Sequence, residues 1–295
     1  MKKREIIEGV IKDYDFPNKG SFELDGKKVI VKGALPGQKV SCMVSKVRKD
    51  KAEARLLDVL ERSEIEDAVP PCPQFGICGG CAYQTMSYDH QLELKAGQVK
   101  KLLDGVIDSE AHPYEWEGII GSPVTAAYRN KMEYSFGDEY KDGPLVLGLH
   151  KKNSMYDIVP VCNCVIVSED YNRIVSYTME FARKYGLSYH KKMQHVGLLR
   201  HLVLRQSKTN GGLLVNLVTS TDGLENLDLH AYVEGLLALP LDGTIIGILH
   251  TANDSLADAV VPEKVTLLYG RDYIEEEVLG LHFQISPFSF SKNLT

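Results

Sequence analysis

Alternating hydrophobic and polar positions predict a small β structure at the start of the chain. Short runs of period-two alternation in residues 1–62 are separated by turn signals such as Asp25-Gly26, as is typical of strands. The predicted strands lie at 5–11, 20–24, 28–31, 38–46 and 53–60. Five short strands in so few residues favour a Greek-key barrel of the OB type.

The hydrophobic period then changes from two residues to between three and four. Residues 87–106, 169–186 and 224–237 are predicted helices, because their apolar positions recur on one face. Runs rich in Val, Leu and Ile predict strands at 131–136, 145–150, 196–207, 212–220, 244–251 and 277–285. Asn210-Gly211 between two of these runs predicts a hairpin turn.

These elements predict a fold class and a domain organisation. We expect an α+β protein whose central sheet is mostly antiparallel. A composition of 44% hydrophobic and 25% charged residues is ordinary for a folded protein. The expected segments are a barrel, a linker with a cysteine loop, a helical segment, a central α+β domain and the start of a further domain, at 1–62, 63–86, 87–125, 126–285 and 286–295.

Charge is distributed unevenly along the chain. The formal net charge is −6, but residues 1–60 hold 14 Lys and Arg against 9 Asp and Glu. A local basic patch can bind phosphates even when the total charge is negative. Lys46, Arg48 and Lys49 are therefore candidate RNA contacts. The alternative is a solvated hairpin, since Asp50 and Glu53 interrupt the basic run.

A cluster of cysteines predicts a metal centre. Cys72, Cys78 and Cys81 follow the spacing C-x5-C-x2-C, and Cys162 or Cys164 can supply a fourth thiolate. Four thiolates hold either zinc or an iron–sulfur cluster. Zinc sites commonly use two C-x2-C pairs, so this asymmetric spacing favours a 4Fe–4S cluster, with zinc and free core thiols as the alternatives. Cys42, inside a predicted strand, is expected to be a buried free thiol.

The chain shows no sign of a membrane or secretory segment. It contains no run of about 18 apolar residues. Its first residues are basic but have no apolar stretch or cleavage site. We therefore expect a cytoplasmic monomer with no membrane contact.

Four segments carry a resemblance to a known family. They are Pro71 to Gln84 with its cysteines, Tyr128-Arg129-Asn130-Lys131, Leu199-Arg200-His201-Leu202-Val203-Leu204-Arg205, and Phe283-Gln284-Ile285-Ser286-Pro287-Phe288-Ser289-Phe290. Together they resemble the RNA uracil-5-methyltransferases, in particular the ribosomal-RNA branch that carries a 4Fe–4S cluster. The resemblance extends along the whole chain.

The resemblance implies roles for individual residues. It makes the first barrel a TRAM domain that binds RNA, and it selects Cys164 over Cys162 as the fourth cluster ligand. Arg129, Lys131 and His201 become candidate RNA contacts, and Phe290 takes the position of an aromatic residue that stacks on a base. The implied partner is RNA, with 23S ribosomal RNA ahead of transfer RNA. The cluster is expected to be structural.

The family's reaction is a Michael addition that uses S-adenosylmethionine. A cysteine thiolate attacks C6 of uracil, C5 takes the methyl group, and a base removes the C5 proton. Neither a D-P-P-R segment nor G-x-G-x-x-G occurs in these 295 residues. We therefore expect the Rossmann-like methyltransferase domain to be absent, no catalytic residue in this chain, and no activity from it alone. The apolar stripe of helix 87–106 is then expected to be partly exposed.

Two other functions fit parts of the sequence. One is a stand-alone RNA-binding adaptor with a structural zinc or iron–sulfur site. The other is an iron–sulfur electron carrier, which does not explain a basic β-barrel.

Overall fold

The structure is a computed structural model that describes residues 1–108, 110–256, 260 and 262–289, and it divides into two units. The first unit comprises Met1–Pro70 and Ala82–Pro123, and the second comprises Pro71–Cys81 and Val124–Thr295. Among the described residues, no helix has both the length and the hydrophobicity needed to cross a membrane.

A six-stranded sheet forms most of the first unit. Its strands are β1 Ile6–Val10, β2 Asp13–Asp15, β3 Lys19–Leu24, β4 Lys27–Lys32, β5 Lys39–Val47 and β6 Lys51–Glu61. They lie in the order β1-β5-β6-β4-β3-β2, and every pair is antiparallel except β4 with β6. The sheet curls until β1 meets β3, where a Cβ added to Gly9 would lie 2.3 Å from the Phe22 ring. Only glycine fits at this approach.

The first helix, α1 (Tyr88–Asp104), belongs to this unit. Ser87 caps it by accepting a hydrogen bond from the His90 amide, and Asp67 accepts one from the Ser87 amide at 2.7 Å. Met86, just before the helix, is buried with Tyr14 of β2 and Leu35. The predicted exposed stripe is present, since Val99, Leu102 and Val106 are 44%, 51% and 82% exposed.

A seven-stranded sheet forms the centre of the second unit. Its strands are β7 Lys131–Asp138, β8 Leu145–His150, β9 Ile158–Pro160, β10 Leu199–Gln206, β11 Gly212–Thr219, β12 Thr244–Ala252 and β13 Lys264–Gly270. Their order is β13-β12-β11-β10-β7-β8-β9, and only β11 and β12 pair in parallel. The predicted turn at Asn210-Gly211 is confirmed, because β10 and β11 pair antiparallel on either side of it.

Two helices pack against this sheet. They are α2 Glu169–Lys184 and α3 Leu229–Leu237. The apolar face of α2, including Tyr171, Ile174 and Val175, joins Leu202 and Leu204 of β10 in the main core cluster. The apolar repeat that predicted α2 is therefore the face that the sheet buries.

Two predicted elements are divided in the structure. The helix predicted at 224–237 is a short 3₁₀ turn, Leu224–Asn226, followed by α3, because Asp228 caps α3 by accepting a hydrogen bond from the Ala231 amide. The strand predicted at 277–285 belongs to a hairpin of β14 Ile274–Val278 and β15 Leu281–Ile285. Leu279 and Gly280 form its turn with φ of 53° and 77°, which reverses the chain within the predicted strand.

Asp170 in the first turn of α2 fastens this helix to the loop before β12. Its side chain is buried and accepts hydrogen bonds from the Asp242 and Gly243 amides, both at 2.8 Å. Gln206 of β10 and Arg173 of α2 also lie near its carboxylate, at 3.5 Å and 3.7 Å. One buried carboxylate thus connects a helix, a loop and a strand.

Replacing Asp170 with alanine is expected to lower the free energy of unfolding by about 2 kcal/mol, because two backbone amides lose their acceptor. The matched control is Asp242→Ala, since the Asp242 side chain is 81% exposed and pairs with Arg173 only at the surface. That change is expected to cost less than about 0.5 kcal/mol. Urea unfolding measures both, and equal losses would contradict the assigned role.

Candidate metal centre and nucleic-acid interface

Backbone hydrogen bonds hold the cysteine loop of residues 71–81 against the end of β8. The Gly79 amide donates to the His150 carbonyl at 2.9 Å, and the Lys152 amide donates to the Ile77 carbonyl at 2.7 Å. Cys78 and Lys151 therefore form a β-bridge. A Cβ at Gly79 would lie 3.1 Å from the His150 oxygen, so this position favours glycine. These hydrogen bonds to the end of the sheet therefore position the loop.

Cys164 is held by α2. Its amide donates to Asn172 Oδ1 at 3.0 Å, and Asn172 Nδ2 donates to the Cys164 carbonyl at 3.5 Å and to Glu169 Oε2 at 3.0 Å. Asn172 itself is buried. Cys164 is buried as well, whereas Cys162 is exposed. Burial thus distinguishes Cys164 from Cys162, whereas the spacing alone allowed either as the fourth thiolate.

The thiols of Cys72, Cys78, Cys81 and Cys164 lie within electrostatic reach of one another. Burial raises the pKa of the Cys164 thiol, and the nearby Cys81, Cys72 and Cys78 thiols raise it further. Burial also raises the pKa of Cys78, although the Gly80 amide, 3.4 Å from its sulfur, opposes that effect. A positive centre would stabilise thiolates that lie this close together.

A buried hydroxyl beside Cys164 also fits a sulfur-rich centre. The Tyr134 hydroxyl has no hydrogen-bond partner among the described residues, and its pKa is raised by burial and by the charge of Cys164. A cluster sulfur or a bound thiolate would give this hydroxyl an acceptor. No set of three or more His, Cys, Asp or Glu side chains in the described residues lies close enough to hold a single metal ion.

The candidate RNA contacts Arg129 and Lys131 lie beside the cysteine centre. The Ala127 and Arg129 amides donate to the Val165 and Ile166 carbonyls at 2.9 and 2.8 Å, directly after Cys164. Arg129 Nε donates to the Lys131 carbonyl at 2.8 Å. Burial lowers the pKa of Lys131, and the positive charges of Arg205 and Arg129 lower it further. Three cations therefore lie close together on this side of the second unit.

The candidate His201 and its neighbour Arg200 both have internal partners. His201 is 3% exposed and its Nδ1 lies 3.3 Å from Ser135 Oγ, so little of its surface is available to RNA. Arg200 is also buried, and it donates to the Asn253 and Ser255 carbonyls at 2.6 and 2.9 Å. Strand alternation did not indicate this, because both faces of β10 are buried.

Arg205 has a role that its sequence position did not suggest. Its side chain is 1% exposed and donates to the carbonyls of Pro287 and Ser289. It therefore fixes the turn that leads to Phe290, the candidate base-stacking residue. Phe290 itself lies outside the described residues.

The basic hairpin of the first unit is exposed as the charge pattern predicted. Lys46, Arg48 and Lys49 lie at the end of β5 and in the turn before β6, and all three are exposed. The Arg48 amide donates to the Lys51 carbonyl at 2.8 Å, and Lys27 Nζ donates to the Arg48 carbonyl at 3.0 Å. None of the three side chains forms an ion pair with any acidic residue in the described ranges.

Sequence comparison places the chain among proteins named as RNA methyltransferases. It is 46% identical over 98% of its length to an uncharacterized RNA methyltransferase of Clostridium acetobutylicum, and 44% identical over 98% to one of Caldanaerobacter subterraneus. The chain covers 62% and 63% of these two relatives. No family model matches it.

Structure comparison finds a similar fold in a solved enzyme. The structure is the Pyrococcus abyssi tRNA (uracil-54, C5)-methyltransferase in complex with S-adenosyl-L-homocysteine. The TM-score is 0.67 at 24% identity, over 97% of this chain and 61% of that chain. At this identity the match establishes the fold.

These comparisons correct the expected fold class. The prediction that the Rossmann-like methyltransferase domain is absent is wrong as a description of the fold, because 97% of the chain aligns with one solved methyltransferase that binds a cofactor product. The prediction that the chain lacks its catalytic domain is wrong for the same reason. It rested on missing short motifs, and a motif search cannot define the limits of a fold. Nearly the whole chain is similar in sequence to RNA methyltransferases.

The cysteines are expected to differ sharply in alkylation by iodoacetamide. Burial raises the pKa of Cys42 to about 11, and its side chain is 0% exposed. At pH 8 the thiolate fraction of Cys42 is then roughly 0.001. In the metal-free protein, iodoacetamide should therefore alkylate Cys42 at least ~100-fold more slowly than the exposed Cys162. Peptide mass spectrometry follows both sites, and urea should make their rates similar. Equal rates in the native protein would contradict the described burial.

Proposed function

We propose that this protein is an RNA methyltransferase that methylates C5 of uracil with S-adenosylmethionine as methyl donor. The observation that carries this proposal is the 46% identity to a protein named as an RNA methyltransferase along 98% of the chain. The name of the solved enzyme of similar fold supports the choice of uracil C5, and its bound S-adenosyl-L-homocysteine supports the cofactor.

We propose further that Cys72, Cys78, Cys81 and Cys164 bind a 4Fe–4S cluster. The asymmetric cysteine spacing, the mutual electrostatic reach of the four thiols and the partnerless Tyr134 hydroxyl support this assignment. The bound cluster would supply a covalent cross-link between residues 72–81 and the segment that follows β9. Zinc remains the alternative metal.

The role of the cluster in this proposal is structural. The segment that carries Arg129 is hydrogen-bonded to Val165 and Ile166, the two residues after Cys164. Fixing Cys164 therefore fixes the backbone from which Arg129 and Lys131 project. Both cations are partly exposed, so they can contact an RNA phosphate, while buried His201 supports the strand behind them.

A second group of RNA contacts lies in the first unit. The exposed Lys46, Arg48 and Lys49 side chains are proposed to bind phosphates without reading sequence. The proposed substrate is 23S ribosomal RNA, on the basis of the sequence motifs. Transfer RNA is the alternative, on the basis of the solved enzyme of similar fold. We propose a cytoplasmic, monomeric enzyme.

Replacing Cys164 with serine is expected to reduce bound iron and sulfide by more than about half after anaerobic reconstitution, because one of four ligands is lost. Cys162→Ser is the matched control, since this exposed cysteine lies two residues away. It should keep the full iron and sulfide content and the visible absorption of the cluster. Loss of iron in the Cys162 variant alone would show that Cys162, and not Cys164, is the fourth ligand. Stoichiometric zinc in a colourless protein would rule out the cluster.

The enzymatic proposal is tested with the protein that carries this chain, tritiated S-adenosylmethionine, and either 23S ribosomal RNA or total transfer RNA. Label is expected at C5 of uracil in one of the two RNAs. Reversing Lys46, Arg48 and Lys49 to glutamate should raise KM strongly and reduce the salt dependence of RNA binding by roughly 2–3 in the log–log slope.

The control for charge reversal is Arg183→Glu with Lys184→Glu, which changes two exposed cations at the end of α2. It should leave KM within about two-fold of the unmodified protein. No labelled uracil in either RNA would refute the proposed activity. An equal rise of KM in both variants would refute the assignment of the basic hairpin.

A further inference from the structure

The second unit contains a cavity of about 350 Å³ that is separate from the cysteine centre. It lies between the end of β7 at Asp138, residues 156–157 before β9, and residues 189–194 before β10. Its volume is within the range of small-ligand sites, roughly 300–1,000 Å³. Neither the sequence motifs nor the proposed chemistry accounts for it.

Aromatic and methionine side chains form part of the walls of the cavity. Phe136 closes its buried side. Tyr156 and Met193 lie at the surface, where they are 57% and 75% exposed. The two meet, with Tyr156 Oη 3.9 Å from Met193 Sδ. An aromatic ring beside a thioether offers a stacking surface for a planar ligand.

A hydrogen bond fixes the orientation of a second aromatic ring. Tyr189 donates its hydroxyl hydrogen to Asp138 Oδ2 at 2.8 Å. Burial, followed by this bond to Asp138, raises the pKa of Tyr189 to about 12, so the phenol keeps its proton at neutral pH. Asp142 and the partly exposed Asp157 add two further carboxylates to the lining. Carboxylates only accept hydrogen bonds, so a ligand here must present N–H or O–H donors.

Cations complete the lining. Lys141, Lys191 and Lys192 all border the cavity. Lys191 Nζ lies 3.4 Å from Asp142 Oδ1 and 5.9 Å from the centre of the Tyr189 ring. A ligand that is planar, rich in N–H donors and linked to phosphate satisfies all three parts of this lining.

We infer that the cavity binds one unpaired guanosine of the RNA substrate. Guanine presents two adjacent N–H groups on one edge, which match a carboxylate such as Asp157. Its face would stack on Tyr156, and the flanking phosphates would lie near the lysines. This inference rests on the proposed function, because an RNA methyltransferase must hold an unfolded loop of RNA to reach its target base.

The test uses the whole chain and fluorescein-labelled RNA hexamers with a central guanosine or inosine among uridines. Inosine lacks the 2-amino group. The unmodified protein is expected to bind the guanosine hexamer more tightly. Tyr156→Ala should weaken that binding about ten-fold or more, because the stacking surface is lost. Asp157→Asn should abolish the preference for guanosine over inosine.

Tyr269→Ala is the matched control. Tyr269 is 42% exposed and lies on β13, at the opposite edge of the sheet from β8 and β9. This variant should bind the guanosine hexamer within about two-fold of the unmodified protein. Unfolding midpoints of all variants identify any that fail to fold, and photo-crosslinking of a 6-thioguanosine hexamer to Tyr156 or Met193 provides a measurement that needs no variant.

The outcomes separate this inference from the function on which it rests. The protein could bind long RNA yet show no guanosine preference, no effect of Tyr156→Ala and no crosslink. That result overturns the cavity assignment and leaves the methyltransferase proposal standing. Failure to bind or methylate any RNA overturns both. Binding of guanosine monophosphate as tightly as the hexamer would show a site for a free nucleotide, which also overturns the inference.

Discussion

The convergence of Cys72, Cys78, Cys81 and Cys164 depends on backbone hydrogen bonds made by their neighbours. Gly79 joins the cysteine loop to the end of β8, and Asn172 holds the backbone of Cys164 from α2. Burial, and after it the neighbouring cysteines, raise the pKa of the Cys164 thiol and so disfavour its thiolate. The folded sheet and helix therefore hold together four groups that would otherwise separate, and a metal centre would stabilise the same arrangement.

This constraint extends from the cysteines to the basic side chains. Residues 127–129 run beside 165–166, so the segment that presents Arg129 and Lys131 is fastened one residue beyond Cys164. Arg205 lies near Lys131 and also fixes the carbonyls of Pro287 and Ser289. The cysteine loop, the cationic surface and the turn before residue 290 are thus connected within one unit, so a change at the cysteines is expected to alter the position of the other two.

Local patterns predicted much of the secondary structure, but they missed β2, β9 and β13, and they treated α3 with its preceding 3₁₀ turn, and the β14–β15 hairpin, as single elements. Helix α2 and the β10–β11 hairpin follow from the apolar period and the Asn-Gly turn, since each is set by residues close in sequence. The β14–β15 hairpin was missed because its turn has Leu279 rather than Asn or Asp at a positive φ. The exposed Lys46, Arg48 and Lys49 were predictable, because a run of cations in a turn is rarely buried.

The sequence by itself determined the cysteine spacing, the amphipathic helices and the basic hairpin, because each depends on residues only a few positions apart. Tertiary structure decided what depends on distant partners. It buried Cys164 and exposed Cys162, placed His201 and Arg205 inside a strand covered on both faces, and formed a cavity from residues 136–142, 156–157 and 189–194. Such choices depend on which surfaces the folded sheet covers, and no local pattern records that.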